Sequence, residues 1–286
     1  MLSSSLRLPG FIVSRVCAVT LALGATAAFA QEPAKERPVL APHRAIYDLS
    51  LLKTRGSASA PASATGRIAY DFTGSACEGF TVAFRQLTEL TPSEGETRSS
   101  DMRSTTFEAG DHSSLRFRVE TTQGSGGSRL LEGAATRSGD GALSLDLRRP
   151  KPMKADLDHD AVFPTDMMIR AIEAARVGDS TVSLKVFDGS DTGDKVYQTL
   201  SVIGRPSTET RADSTKDQAA MKGMRRWPVT VSYFDLAKVD EPPVYILSFQ
   251  MWENGVSSDL VLDYGDFQLK GEMTTLQMLP KGECRK

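Results

Sequence analysis

Apolar and polar side chains alternate with a period of two through most of this chain. Leu115, Phe117 and Val119 alternate with Arg116, Arg118 and Glu120, and Leu143, Leu145 and Leu147 with Ser144, Asp146 and Arg148. The same rhythm runs through Ala45, Tyr47, Leu49 and Leu51, through Ile68, Tyr70 and Phe72, and through Phe80, Val82 and Phe84. Strands written this way bury one face and wet the other, as antiparallel sheets do. Further strands are expected at 181–187, 195–203, 227–234, 244–252, 257–264 and 267–278. Asp188-Gly189, Gly265-Asp266 and Gly110-Asp111 mark turns between them. Asn254-Gly255 is the strongest hairpin signal, because both residues tolerate positive φ. In all, about 12–14 strands are expected.

One segment has a different period. Met168, Ala171, Ile172 and Ala175 form a stripe at helical spacing, with Arg170 and Glu173 off it. Thr165, after Pro164, is the expected cap, and Gly178 the expected stop. Met168, Ile172 and Ala175 are candidates for a ligand face, although such a stripe more often packs against a sheet. A long antiparallel meander with one helix and no break in composition is most simply one large sheet, a spiral or open barrel. Ser57 to Thr65, rich in Ala and Ser, reads as a hairpin tip. Gly204 to Gly223 reads as a polar loop, and Gly124 to Ser128 as a turn.

Charge changes little: 34 Lys and Arg against 36 Asp and Glu give a net charge of −2, which argues against a general nucleic-acid binder. The N-terminus changes more. Residues 1–30 contain Arg7 and Arg15 but no acidic residue, and an apolar run from Val16 to Phe29 ends in Ala28-Phe29-Ala30. The run is shorter than the roughly twenty residues that span a bilayer. It reads as a secretory signal, cleaved after Ala30, rather than a membrane anchor. Residues 31–42 are then expected to form a polar tail and 43–286 a single domain, in an exported protein.

Cys17 leaves with the signal, and it is not placed for lipidation. Cys77 and Cys284 remain, and two cysteines in an exported chain point to a disulfide. Free thiols or a redox site are the alternatives, though no Cys-x-x-Cys occurs.

Candidate chemistry is sparse. His43 and His112 have no acidic partner at metal spacing. Asp156, Asp158, His159 and Asp160 have the types to bind a divalent cation, but a solvated acidic loop explains them as well. Asp188 to Asp194 resembles a calcium loop, yet Ser190, Thr192 and Thr199 stand where ligands belong. Nucleophile elbow, Walker loop, dinucleotide fingerprint and His-Glu-x-x-His are all missing. No metal, cofactor or catalytic residue is therefore expected, and a non-enzymatic protein is the expectation.

His43-Arg44-Ala45-Ile46-Tyr47, Cys77-Glu78-Gly79 and Phe163-Pro164-Thr165 occur in that order along the chain. Phe187-Asp188-Gly189-Ser190-Asp191, Lys195-Val196-Tyr197, Trp252-Glu253-Asn254-Gly255-Val256-Ser257 and Leu262-Asp263-Tyr264-Gly265-Asp266-Phe267 follow, before Cys284. Together they resemble the EipB-type cell-envelope integrity proteins of Gram-negative bacteria, from about His43 to Cys284. The resemblance implies a periplasmic β-spiral around a helix, with a disulfide that maps onto Cys77 and Cys284. It also implies a periplasmic tetratricopeptide-repeat partner, and no catalytic residues to carry over.

Three functions follow. The leading one is a non-enzymatic binding protein that supports envelope integrity through a protein partner. The second is a carrier of lipid or another apolar ligand, for which the concave face must be left open by the Thr165 to Val177 helix. The third is an envelope hydrolase built on Asp156, Asp158 and Asp160.

Overall fold

The structure is a computed structural model. It describes residues 37–56, 60–124, 126–209, 221–238 and 240–282. The expected signal (1–30), the first part of the expected tail, the centre of the 204–223 loop and Cys284 lie outside the described residues.

The described residues form fourteen strands: β1 (His43–Thr54), β2 (Ser63–Ser75), β3 (Gly79–Thr91), β4 (Arg98–Glu108), β5 (Ser114–Gln123), β6 (Ser128–Arg137), β7 (Leu143–Arg149), β8 (Met153–Leu157), β9 (Thr181–Val186), β10 (Tyr197–Ile203), β11 (Arg226–Asp235), β12 (Tyr245–Trp252), β13 (Ser257–Asp263) and β14 (Phe267–Met278). One helix, α1 (Pro164–Val177), separates β8 from β9. All fourteen strands lie in one antiparallel sheet, ordered β8-β7-β6-β5-β4-β3-β2-β1-β14-β13-β12-β11-β10-β9. The N-terminal strand therefore pairs with the C-terminal one at the middle of the sheet. From that seam β1 to β8 run out to one edge, and β9 to β14 return from the other.

The connection through α1 joins the two edges. Val162, just before the helix, bridges to Val186 of β9, and Lys185 Nζ reaches the Asp158 carboxylate at 2.6 Å. An unpaired strand edge offers free N–H and C=O groups to other chains, and this segment covers part of one.

The alternation seen in the sequence sorts the two faces. Outward charges pair across strands, as in Arg44–Asp71 and Arg67–Asp48, each directly opposite in register. Inward apolar residues form two cores. The larger joins β1–β3 and β11–β14 to Ile169, Ala171, Ile172 and Ala175 of the helix. The smaller centres on Phe117 of β5, with Leu131, Leu145, Phe163 and Phe187.

Three expectations are corrected locally. Thr165 does not cap the helix. Phe163 is the N-cap, in extended conformation and with no side-chain cap bond, and Pro164 supplies the first helical φ. Long-range chemistry replaces the missing cap: buried Glu108, at the end of β4, accepts from the Thr165 N–H at 2.7 Å and the Asp166 N–H at 3.1 Å. A carboxylate suits this end of a helix, where unpaired amides concentrate positive charge. Gly178 does stop the helix, with φ of 88°.

At Asn254-Gly255 only the glycine takes positive φ. The Gly255 N–H donates to Trp252 O at 2.9 Å, and the Asn254 side chain accepts from the Val256 N–H at 3.2 Å. This is a three-residue loop ending in a left-handed glycine rather than a two-residue turn. The far end of the expected tail is not loose either. Leu40 and Ala41 are buried, and the Ala41 N–H donates to Asn254 O at 2.9 Å. Two apolar residues there find cover against the β12–β13 hairpin.

Candidate functional site

The bent sheet and α1 do not fill the concave side completely. A cavity of about 820 Å³ remains, lined by inward residues of β1–β4 and β10–β13, by the loop after β9, and by Met168 of the helix. A smaller space of about 200 Å³ adjoins it, sharing Tyr70, Met168, Tyr233, Leu247 and Phe249.

The lining is chemically selective. The chain has six tyrosines, and all six line this cavity: Tyr47, Tyr70, Tyr197, Tyr233, Tyr245 and Tyr264. Four of them form a row of neighbouring rings. Tyr197 meets Tyr233 edge-on at 6.2 Å between centroids, Tyr233 lies 5.9 Å from Tyr245, and Tyr245 lies 5.3 Å from Tyr264. Burial pushes every one of these phenols above its usual range, Tyr70 and Tyr197 to about 12. They remain neutral hydrogen-bonding groups on apolar rings.

Some hydroxyls are satisfied by the protein. Tyr47 donates to Ser257 O at 2.6 Å, and Tyr264 accepts from Gln86 at 3.2 Å. Among the described residues, Tyr70 and Tyr233 hydroxyls have no hydrogen-bond partner.

One part of the lining is acidic. Phe187 is buried, and the chain then turns through Asp188, Gly189 and Ser190 to Asp191. Gly189 and Gly193, both at positive φ, let this loop lie on the smaller core, where a side chain at Gly189 would collide with the Phe117 ring and one at Gly193 would crowd Leu147. Arg129 fastens the loop further by donating to Asp191 O at 2.6 Å. Asp191 is neutralised by Lys195 at 2.7 Å. Asp188 accepts from the Ser190 N–H at 2.9 Å, and the dominant effect on its carboxyl is desolvation, which raises its pKa. It is half-buried and lines the cavity. His43, also on the lining, is buried, hydrogen-bonds Ala41 O at 2.8 Å and has its pKa lowered by desolvation, which favours the neutral ring.

The residues singled out from sequence fall in different places. Met168 lines the cavity, whereas Ile172 and Ala175 are buried in the larger core and serve packing. Cys77 sits in the β2–β3 turn. Asp158, His159 and Asp160 are close enough to share a cation, but Lys185 already holds Asp158, His159 lies 3.1 Å from Asp160, and both latter residues are exposed. Asp188 to Asp194 is a connecting loop, as expected.

His112 corrects the sequence reading. It has an acidic partner four residues earlier, with Nδ1 2.5 Å from Glu108 Oε1, and Nε2 lies 2.8 Å from Arg37. The turn after β4 folds back to make this pair. What the sequence did not announce at all is the convergence of the tyrosines with Asp188. Tyr47 and Tyr70 stand in inward rows of alternating strands, but an inward tyrosine alone reads as core.

This architecture can be compared with known proteins. A family model described as EipB-like matches residues 34–280. The chain belongs to the EipB-like family. A curated member, the cell envelope integrity protein EipB of Brucella abortus (strain 2308), is 36% identical over 245 residues, covering 85% of this chain and 86% of the relative. A crystal structure of a beta-barrel-like protein of a domain of unknown function from Brucella abortus superimposes with a TM-score of 0.79 at 35% identity. It covers 85% of this chain and 100% of the other. The large bent sheet expected from alternation is therefore the family's architecture. No helix among the described residues is long and apolar enough to cross a membrane.

Proposed function

We propose that this protein supports the integrity of the cell envelope by holding the apolar part of an amphiphile in the tyrosine-lined cavity. The envelope role rests on the name of its relative. The binding role rests on one observation: an 820 Å³ space with a largely apolar lining, a size suited to a small lipid or similar ligand. Helix α1 occupies only one side of the concave face. This moves the weight from a protein partner, including the tetratricopeptide-repeat protein implied by the resemblance, to a small amphiphile. In this reading the protein is exported, its signal is removed after Ala30, and it works in the periplasm without catalysis.

Native mass spectrometry of freshly purified protein is expected to reveal a bound lipid-sized adduct. Met168→Trp, which fills the cavity from the helix side, is expected to reduce that adduct while preserving the circular dichroism spectrum. A clean unliganded mass from every preparation overturns the proposal. Depletion of the protein is expected to sensitise cells to detergent.

The same reading includes a Cys77–Cys284 disulfide. In its support, Gly282 lies against Glu78 and Ser75, so the described C-terminal end already reaches the turn that carries Cys77.

A further inference from the structure

The cavity's electrostatics narrow its ligand. Its lining includes Asp188 and Asp191 but no Lys or Arg. The one imidazole on it, His43, is favoured in its neutral form by burial. Asp191 is already matched by Lys195 at 2.7 Å, and Lys195 is shared with Asp235 at 3.1 Å. Asp188 has no cation within ion-pair distance among the described residues. Its protein bonds come from Ser190 and from its own backbone N–H, neither of which carries charge. A desolvated carboxylate without a counter-ion is costly to maintain. Two rings lie near it: Asp188 is close enough to Tyr197 and Tyr233 for its charge to hold back their ionisation. Tyrosine faces attract cations through the ring quadrupole, most strongly where water is excluded. The Asp188 loop is also held in advance, by contact of Gly189 with Phe117 and of Gly193 with Leu147, and by Arg129, so a ligand need not order it.

We propose that the cavity takes an amphiphile whose head group is an organic ammonium ion, seated at the Asp188 carboxylate beside the rings of Tyr197 and Tyr233. The Tyr70 and Tyr233 hydroxyls, without protein partners among the described residues, are free to bond polar groups next to the ammonium. An anionic head meets repulsion at Asp188 and finds no Lys or Arg on the lining. This assignment rests on the amphiphile reading above and specifies the head group.

Calorimetric titration with three probes of equal chain length separates the two claims: dodecyltrimethylammonium, dodecyl maltoside and dodecyl sulfate, each below its micellar concentration. The expected result is a preference of about tenfold or more for the ammonium probe over the maltoside, of the size cation–π and ion-pair contacts give when desolvated. Asp188→Asn is expected to abolish that preference and leave maltoside affinity within about twofold. Its melting temperature is expected to rise, since the variant removes a partly desolvated carboxylate that has no counter-ion; a folded, more stable protein that has lost only the preference cannot be explained by unfolding. Tyr233→Leu is expected to weaken the preference as well, and dodecylammonium in place of the trimethyl probe distinguishes a primary from a quaternary head. Equal affinity for ammonium and maltoside, or a preference that survives Asp188→Asn, overturns the head-group assignment and leaves the cavity reading standing. Failure of all three probes to bind overturns both.

Discussion

Asp263 accepts four hydrogen bonds from described residues. Arg55 approaches it with two nitrogens at 2.8 and 2.6 Å, Gln268 donates at 2.8 Å, and the Gly265 N–H donates at 2.9 Å. The Arg55 bonds lead in holding its pKa down, to about 2. A carboxyl with a lowered folded pKa adds stability above its unfolded value, near 3.9, and loses it as pH falls through the folded one. With Arg55 half exposed, the gain is about 1–2 kcal/mol. Asp263→Asn is therefore expected to lower urea stability by that amount at pH 7. The gap from wild type is expected to narrow between pH 4 and pH 2. A gap unchanged across that range contradicts the assignment. Asp188 has the opposite sign: its raised pKa means that ionisation above about pH 3.9 works against folding. Both residues stand in turn-like sequences, Asp-Tyr-Gly-Asp and Asp-Gly-Ser-Asp, and a polar turn was all that could be read there. Which carboxylate gains an arginine and which is left facing a cavity depends on residues some two hundred positions away or on another strand.

At the scale of elements, strands with clean alternation were legible and three others were not singled out. β4 (Arg98–Glu108) contains mostly Ser, Thr and charged residues, β6 carries Glu-Gly-Ala-Ala at its centre, and β8 has five residues. None offers a strong apolar row, so their neighbours' register holds them in the sheet. The capping group of α1 was misassigned for a related reason: the amides of its first turn are met by Glu108, 57 residues earlier, and local cap rules cannot see it. The loop after β9 gives the sharpest test of element packing. Gly189 combines φ of 73° with a Cβ direction that points into the Phe117 ring. Gly178 has φ of 88° but open space around it. Gly178→Ala is expected to cost about 1 kcal/mol, the backbone penalty alone. Gly189→Ala adds a clash within a closed core and is expected to cost about 2–4 kcal/mol. Equal losses in thermal denaturation contradict the packing described for the loop. Because that loop holds Asp188, Gly189→Ala is also expected to weaken any ligand that uses the carboxylate.

At the scale of the molecule, alternation predicted a bent meander but not its seam. The strand order places β1 beside β14, so the first and last strands meet near the middle of the sheet while its outer edges are β8 and β9. A spiral with this order is closed by contacts far apart in sequence, which is where a covalent link has most effect. Linking Cys77 to Cys284 ties the β2–β3 turn to the segment after β14 and encloses most of the chain. The loop-entropy argument gives at most about 5 kcal/mol for a loop of this length, with the gain arising from restriction of the unfolded chain. Such a gain leaves the native cavity unchanged. The Cys77→Ser, Cys284→Ser double variant is accordingly expected to lose several kcal/mol in chemical denaturation yet to bind the ammonium probe as the wild type does. Each single variant is expected to be as unstable as the double, since either one removes the whole bond. Thiol labelling of the unfolded, unreduced wild type (the mature chain) is expected to find no free cysteine. Two labelled thiols, or single variants whose losses add up to that of the double, contradict the pairing.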